Sequence, residues 1–351
     1  MNMEENMHTG KPDRILFLGD INFKGVEFSR NIFSEVEEEI KSADIVFANL
    51  ECSLSLGKAR EYRQAFSANP DFGPVLRKSG IGIVGNANNV NFGSDAILAS
   101  NKVLADAGII HVGSGANIQE ALQPKIWNHG GRKFGFLQKT AVFWPVAHAA
   151  ERDQPGVATI AAHTSYRPVL DHHAALTRPG VPPEIITWAD KSSLRQVQEE
   201  IAALRRDVDF VVSSFHWGYR REVLSYQTEF ARAAIDAGAD IVFGHGPHTI
   251  APLERYKNKL IIYGMGNFVF HVAHTDDVHA SWLGMIARLA ISGTNVCGIE
   301  LAFVEKGENN KPLITRYLDH RDEFDRLEKL SRRNDVSIKQ TDDEFWFRAE
   351  L

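Results

Sequence analysis

Only two cysteines, Cys52 and Cys297, occur in 351 residues. They form no CxxC pair and no disulfide framework, which excludes a stapled secreted scaffold and a thiolate zinc site and agrees with a reducing compartment. No stretch approaches 18 apolar residues, and the N-terminal MNMEENMHTGKPDR lacks the apolar run of a signal peptide. Positive charge is also short: 39 Lys and Arg stand against 45 Asp and Glu, a net charge of −6. That balance disfavours nucleic acid and acidic membrane surfaces as partners. No P-loop, dinucleotide-binding glycine pattern or GxSxG elbow occurs, and no repeat or low-complexity tract. The chain reads as soluble and cytoplasmic, without an integral membrane anchor.

What is present is an alternation of short apolar runs and helical periods. RILFLGD (14–20), DIVFANLE (44–51), IGIVGNANN (81–89), IIHVGSG, VDFVVSSFHWG and ADIVFGHGPH read as strands. Helices are expected over 28–43, over 94–108 with Ser94 as N-cap and Gly108 as stop, and over 193–207. RKFGFLQKTAVFW contains a further strand. About 141–190 the chain is irregular and rich in Pro and His, the mark of a functional insertion or lid. Residues 1–13 are expected to be extended or disordered, 14–316 to form the main domain, and 317–351 to be a charged helical tail. The fold class is α/β or a mixed sandwich.

In open α/β sheets, sites form beyond the carboxyl ends of the strands. Here those ends carry Asp20, Asn49 with Glu51, Asn88 with Asn89, His216, and His245 with His248. Singly, each is an ordinary turn, cap or core residue. Together they are five strand ends delivering oxygen or nitrogen donors. Carboxylate, amide and imidazole donors suit Mn²⁺, Fe²⁺, Zn²⁺ or Mg²⁺. A carboxylate shared by two such ions is the core of a two-metal hydrolase, in which metal-bound hydroxide forms at neutral pH and phosphoryl oxygens are clamped.

The segments FLGDINF, DIVFANLECSLS, VGNANN, SSFHWGYRREV and GADIVFGHGPHTIAPLERYKNKLIIYGMGNFVF resemble, in this order, the CapA family of bacterial capsule or poly-γ-glutamate synthesis proteins. That family is similar to calcineurin-like metallophosphoesterases, and the likeness spans about residues 14–305. It implies a four-layer α-β-β-α sandwich and one or two divalent ions held by Asp20, Glu51, Asn89, His216 and His248, with His245 added. Two positions depart from the family pattern: Val90 stands where an Asn-Asn-His run would end, and Gly246 where the first His of a His-Pro-His loop would stand. A His at the former steadies or protonates a leaving group, a contribution of about 10²–10⁴ in rate. His148, His163, His271 and His274 are possible substitutes, whereas His172 and His173 read as solvated. Arg167 or Arg220, the latter followed by Glu222, can hold an anionic group.

These readings point to a metal-dependent hydrolase of an anionic small-molecule or polymer substrate, acting on a phosphoester or a related amide or peptide bond. His216, His163 and Arg220 are its candidate catalytic groups. The alternative is a binding or assembly module for polymer biosynthesis that keeps the fold around a degenerate metal site.

Overall fold

The structure, a computed structural model, describes residues 12–59, 65–169, 173, 177–272 and 277–351. Most of the segment expected to form a loose N-terminus, together with His172 and His274, lies outside these residues. The strand Asp13–Asn22 runs through the middle of a large sheet. It pairs in parallel with Ile45–Leu50, which is followed by Ile83–Gly85 and Ile110–Val112. On its other side it pairs antiparallel with Leu283–Ser292, followed by Asn295–Lys306, Trp346–Glu350 and Ser337–Gln340.

A second sheet has four parallel inner strands, Arg132–Thr140, Phe210–His216, Ile241–His245 and Lys259–Ile262, with antiparallel edges Lys125–His129 and Leu253–Tyr256.

The sheets face each other because their strands alternate. Ile15 and Phe17, Ile45 and Phe47, Phe134 and Phe136, Phe210 and Val212, and Ile241 and Phe243 point into one shared core. Phe17 stacks on Phe243 at 3.6 Å and Phe47 on Phe136 at 5.9 Å between ring centroids. Burying each such ring contributes about 2–3 kcal/mol. The opposite parities pack outward. Leu16, Leu18 and Val46 meet the helix Phe72–Ser79 and Leu104 of the helix Ser94–Asp106. Val211, Phe215 and Val242 meet the helices Lys191–Arg205 and Ser225–Asp236. The result is the four-layer α-β-β-α sandwich.

Three stretches differ from the sequence reading. The helix expected over 28–43 is helical only at Glu37–Ser42. The tail is not a frayed helix. Only Arg321–Arg332 is helical, and Ser337–Gln340 and Trp346–Glu350 extend the large sheet. The reason is a period of two in which Val336 and Ile338, then Phe347 and Ala349, fall on the buried face. The irregular insertion contains an exposed antiparallel ribbon, Ala162–Arg167 against Glu184–Ala189.

Candidate metal centre

The inward face of each central strand changes character as it nears the carboxyl end. Phe134 and Phe136 are succeeded by Gln138 and Thr140, Phe210 and Val212 by Ser214 and His216, Ile241 and Phe243 by His245, and Ile45 and Phe47 by Asn49 and Glu51. Register makes these ends level. Asp20 lies opposite Asn49 and Asn267 in the large sheet, and His216 lies opposite Thr140 and His245 in the small one. Two rows of polar side chains therefore meet between the sheets.

Asp20, Glu51 and His248 form the middle of the cluster, with one ligand atom from each lying within 4.8 Å of the others. Asp20 Oδ2 is 3.2 Å from His248 Nδ1, and Glu51 Oε1 is 3.5 Å from His248 Nε2. His216 joins through its Nε2, 3.4 Å from Glu51 Oε1, and His245 through its Nδ1, 3.1 Å from Asp20 Oδ1. Thr140 Oγ1 sits 3.2 Å from His216 Nδ1, leaving Nε2 as the nitrogen turned to the cluster. Asp20, Glu51, His216 and His245 are buried, whereas the His248 side chain is 22% exposed, so solvent reaches the cluster on that side.

These charges shape one another. Burial pushes the Asp20 carboxyl up, but the hydrogen bonds and charge of His245 and His248 hold it well below the usual carboxylate range. Glu51 is likewise raised by burial, but His248 brings it down to about 2. Burial lowers His248, yet the charge of Glu51 and the bond to Asp20 raise it to about 9.

The donor set fits a divalent cation. Separations of about 3 Å match the edge of a coordination octahedron with bonds of about 2.1 Å. Among the described residues, the buried His245 Nε2 and Asp20 Oδ2 have no hydrogen-bond partner. Asp20 Oδ2 does have the charge of His248 Nδ1 beside it at 3.2 Å. Buried groups of this kind each cost about 1–3 kcal/mol unless something satisfies them.

The two asparagines of NANN separate in role. Asn88 is spent on structure, since its Nδ2 donates to the Leu50 carbonyl and its Oδ1 accepts from the Val90 and Asn91 amides. Asn89 is half-buried, and its carbonyl accepts from Trp144 Nε1. Its side chain makes no hydrogen bond among the described residues, which leaves it open to a ligand.

Val90 packs in the apolar layer behind the large sheet. His148 is buried beside the Asn loop, but Nε2 lies 3.1 Å from the Asn91 carbonyl and Nδ1 accepts from the Trp144 amide. Both nitrogens hold backbone, and burial lowers its pKa to about 4. His163 lies on the exposed ribbon, with Nε2 3.3 Å from Asp190 and its ring against Trp188. Neither partner is a member of the cluster. Arg167 pairs with Glu184 on the same ribbon, and His271 contacts Lys306. Arg220 is exposed over the Tyr219 ring at a φ of +63°. Sequence reasoning passed over Gln138, Thr140, Trp144 and Asn267. The period-two inward face already pointed to the first two.

Gly246 has a local reason. Its φ is +106°, and a Cβ there would lie 2.8 Å from the Trp217 carbonyl and 3.0 Å from His216 Nε2. The loop can lie against the imidazole only without a side chain. Gly246→Ala is expected to destabilise the fold by about 1–3 kcal/mol and to weaken Mn²⁺ binding by displacing His216. Thermal melts and Mn²⁺ titration check this, and a variant matching wild type in both would show the loop has slack.

Residues 12–272 match the family described as bacterial capsule synthesis protein PGA_cap. The chain is 25% identical over 332 residues to the capsule biosynthesis protein CapA of Bacillus anthracis, covering 92% of this chain and 72% of that protein. It is 27% identical over 285 residues to the uncharacterized protein y4sH of Sinorhizobium fredii, covering 68% of this chain and 61% of that one. It thus spans about three fifths of the length of that curated relative. The crystal structure of a novel phosphatase from Mycoplasma pneumoniae superposes with a TM-score of 0.51 at 14% identity, over 84% of this chain and 94% of that one. That likeness concerns the fold alone. No described helix is long and apolar enough to cross a membrane.

Proposed function

The chain belongs to the bacterial capsule synthesis protein PGA_cap family, and from that premise we propose that it is a divalent-metal-dependent hydrolase of an anionic substrate, cleaving a phosphoester or a related amide bond. The observation that carries this reading is the meeting of Asp20, Glu51, His216, His245 and His248 from two sheets, with buried donor atoms left unsatisfied. Asp20, Glu51, Asn89, His216, His245 and His248 would hold one or two ions. When bound, such an ion supplies Lewis-acid polarisation and acidifies water.

The chain's own groups do the rest. Thr140 fixes the His216 ring. Asp20, Glu51, His216 and His245 are buried, and substrate enters on the side of the partly exposed His248. Arg220, exposed just beyond His216 on the same connection, is the cation assigned to the substrate's anionic group, where a guanidinium binds in bidentate fashion. His163 is not assigned a role in the reaction, since its contacts are with Asp190 and Trp188.

One observation favours a second reading, a binding or assembly module. Val90 is buried among apolar side chains, and the nearby His148 has both nitrogens engaged with backbone. Among the described residues, therefore, neither Val90 nor His148 offers a leaving group a proton at the Asn loop. A panel of phosphoester and γ-glutamyl amide substrates, assayed with added Mn²⁺, separates the two. The hydrolase reading expects turnover in wild type that falls at least about 100-fold in His216→Ala. Equal background rates in both proteins would favour the module.

A further inference from the structure

Beneath the cluster, a single amide reaches across from the opposite sheet. Gln138 is buried on Arg132–Thr140, and its Oε1 accepts from the backbone amide of Ala87 at 2.7 Å. A backbone N–H can only donate, so this contact fixes which end of the Gln138 amide is oxygen. Nε2 then points the other way, donating to Asn49 Oδ1 at 3.1 Å and to Ser214 Oγ at 3.3 Å. That in turn fixes Asn49, whose Nδ2 must face Asp20 Oδ1 at 2.8 Å and Glu51 Oε2 at 3.3 Å. Space for the relay is made by Gly85, where a Cβ would lie 2.4 Å from the Gln138 amide.

We propose that Gln138 is a positioning residue that locks the Asn49 amide with its N–H groups toward both carboxylates. Asn49 thereby occupies one oxygen of each and leaves Asp20 Oδ2 and Glu51 Oε1 facing the histidines and any cation held there. An amide turned the other way would put a carbonyl oxygen against two carboxylates and repel them. Groups that orient metal ligands from behind typically contribute 10–100-fold in affinity. The inference rests on the metal-site reading above for its consequence, but not for its geometry.

Gln138→Glu is the sharp test. It keeps the volume and an acceptor for the Ala87 amide, but offers Asn49 an oxygen in place of an N–H. Simple electrostatics expects the added negative charge to tighten Mn²⁺. The relay expects Mn²⁺ binding, measured by calorimetry on the full chain, to weaken by about 10–100-fold. Equal or tighter binding would overturn the proposal. A second readout needs no metal. In chelator-treated protein labelled with ¹⁵N-asparagine, the Asn49 side-chain amide, assigned by its absence in Asn49→Ala, is expected to exchange slowly with solvent. In Gln138→Glu it should exchange at least about tenfold faster, and unchanged exchange would also overturn the proposal. Should Gln138→Glu fail to fold, Gln138→Met keeps the length, removes both polar ends and carries the same two expectations. A wild-type protein that binds no Mn²⁺ would remove the metal reading alone, with amide exchange still deciding the role of Gln138.

Discussion

Glu51→Gln is expected to weaken divalent-cation binding by more than about 100-fold and to bring hydrolysis to background. The bound is set from groups that merely orient metal ligands, which contribute 10–100-fold, because Glu51 stands nearer. Its Oε1 lies between His216 Nε2 and His248 Nε2, so one carboxylate serves both imidazoles. The substitution preserves shape, and an amide oxygen can still accept from Asn49, so the fold is expected to survive. What disappears is one of the two buried negative charges, the other being that of Asp20, that would compensate a dication. Equilibrium dialysis against Mn²⁺, with circular dichroism to verify folding, checks the result. Wild-type affinity in a folded Glu51→Gln protein would sink the site as described.

The second large effect is on stability against pH in chelated protein. His248 is raised from 6.5 to about 9 by Glu51 and Asp20 despite its burial. A folded-state pKa above the unfolded one means the native protein binds that proton more tightly. The stabilisation is fully present below pH 6.5 and is lost as pH rises through about 9. At 1.36 kcal/mol per unit, the loss amounts to about 3 kcal/mol by pH 10. On the acid side the sign reverses. Asp20 and Glu51 are held low, so their contribution is present above the ordinary carboxylate range and is lost as pH falls toward 2. Urea midpoints between pH 6 and 10 test the alkaline limb, which should flatten in His248→Asn. A limb equally steep in that variant would assign the proton to another group.

Much of this was readable in the chain, for physical reasons. Phe47-Ala48-Asn49-Leu50-Glu51 and Phe215-His216 announce strands whose inward parity turns polar at the end, and that parity groups Glu51, His216 and His245. Asp20 is out of phase with Ile15 and Phe17 and joins them through a register shift between Phe17 and Asp20. His248 needed more. It lies beyond the strand, at a φ of +55°, and reaches Asp20 only because Gly246 bends the loop against His216. Gln138 was hidden because a glutamine within an apolar strand carries no chemical signature. Its meaning depends on Ala87 and Asn49, which are 51 and 89 residues away. The tail was misread because its charged helix dominates the composition, while the alternation of Phe347 and Ala349 is short. His148 sits beside the Asn loop, but its bonding is a packing outcome that no spacing encodes.

Among the described residues the two sheets share no backbone ladder; a packed apolar core and a few polar side chains join them. The carboxylates belong to one sheet and the imidazoles to the other, so an ion seated among them would act as a rivet through both. At a thousandfold excess over its dissociation constant, such a ligand adds about 4 kcal/mol to folding. Scavenging of trace ions in the surroundings would then change how firmly the halves of this protein hold together, as well as whether it works.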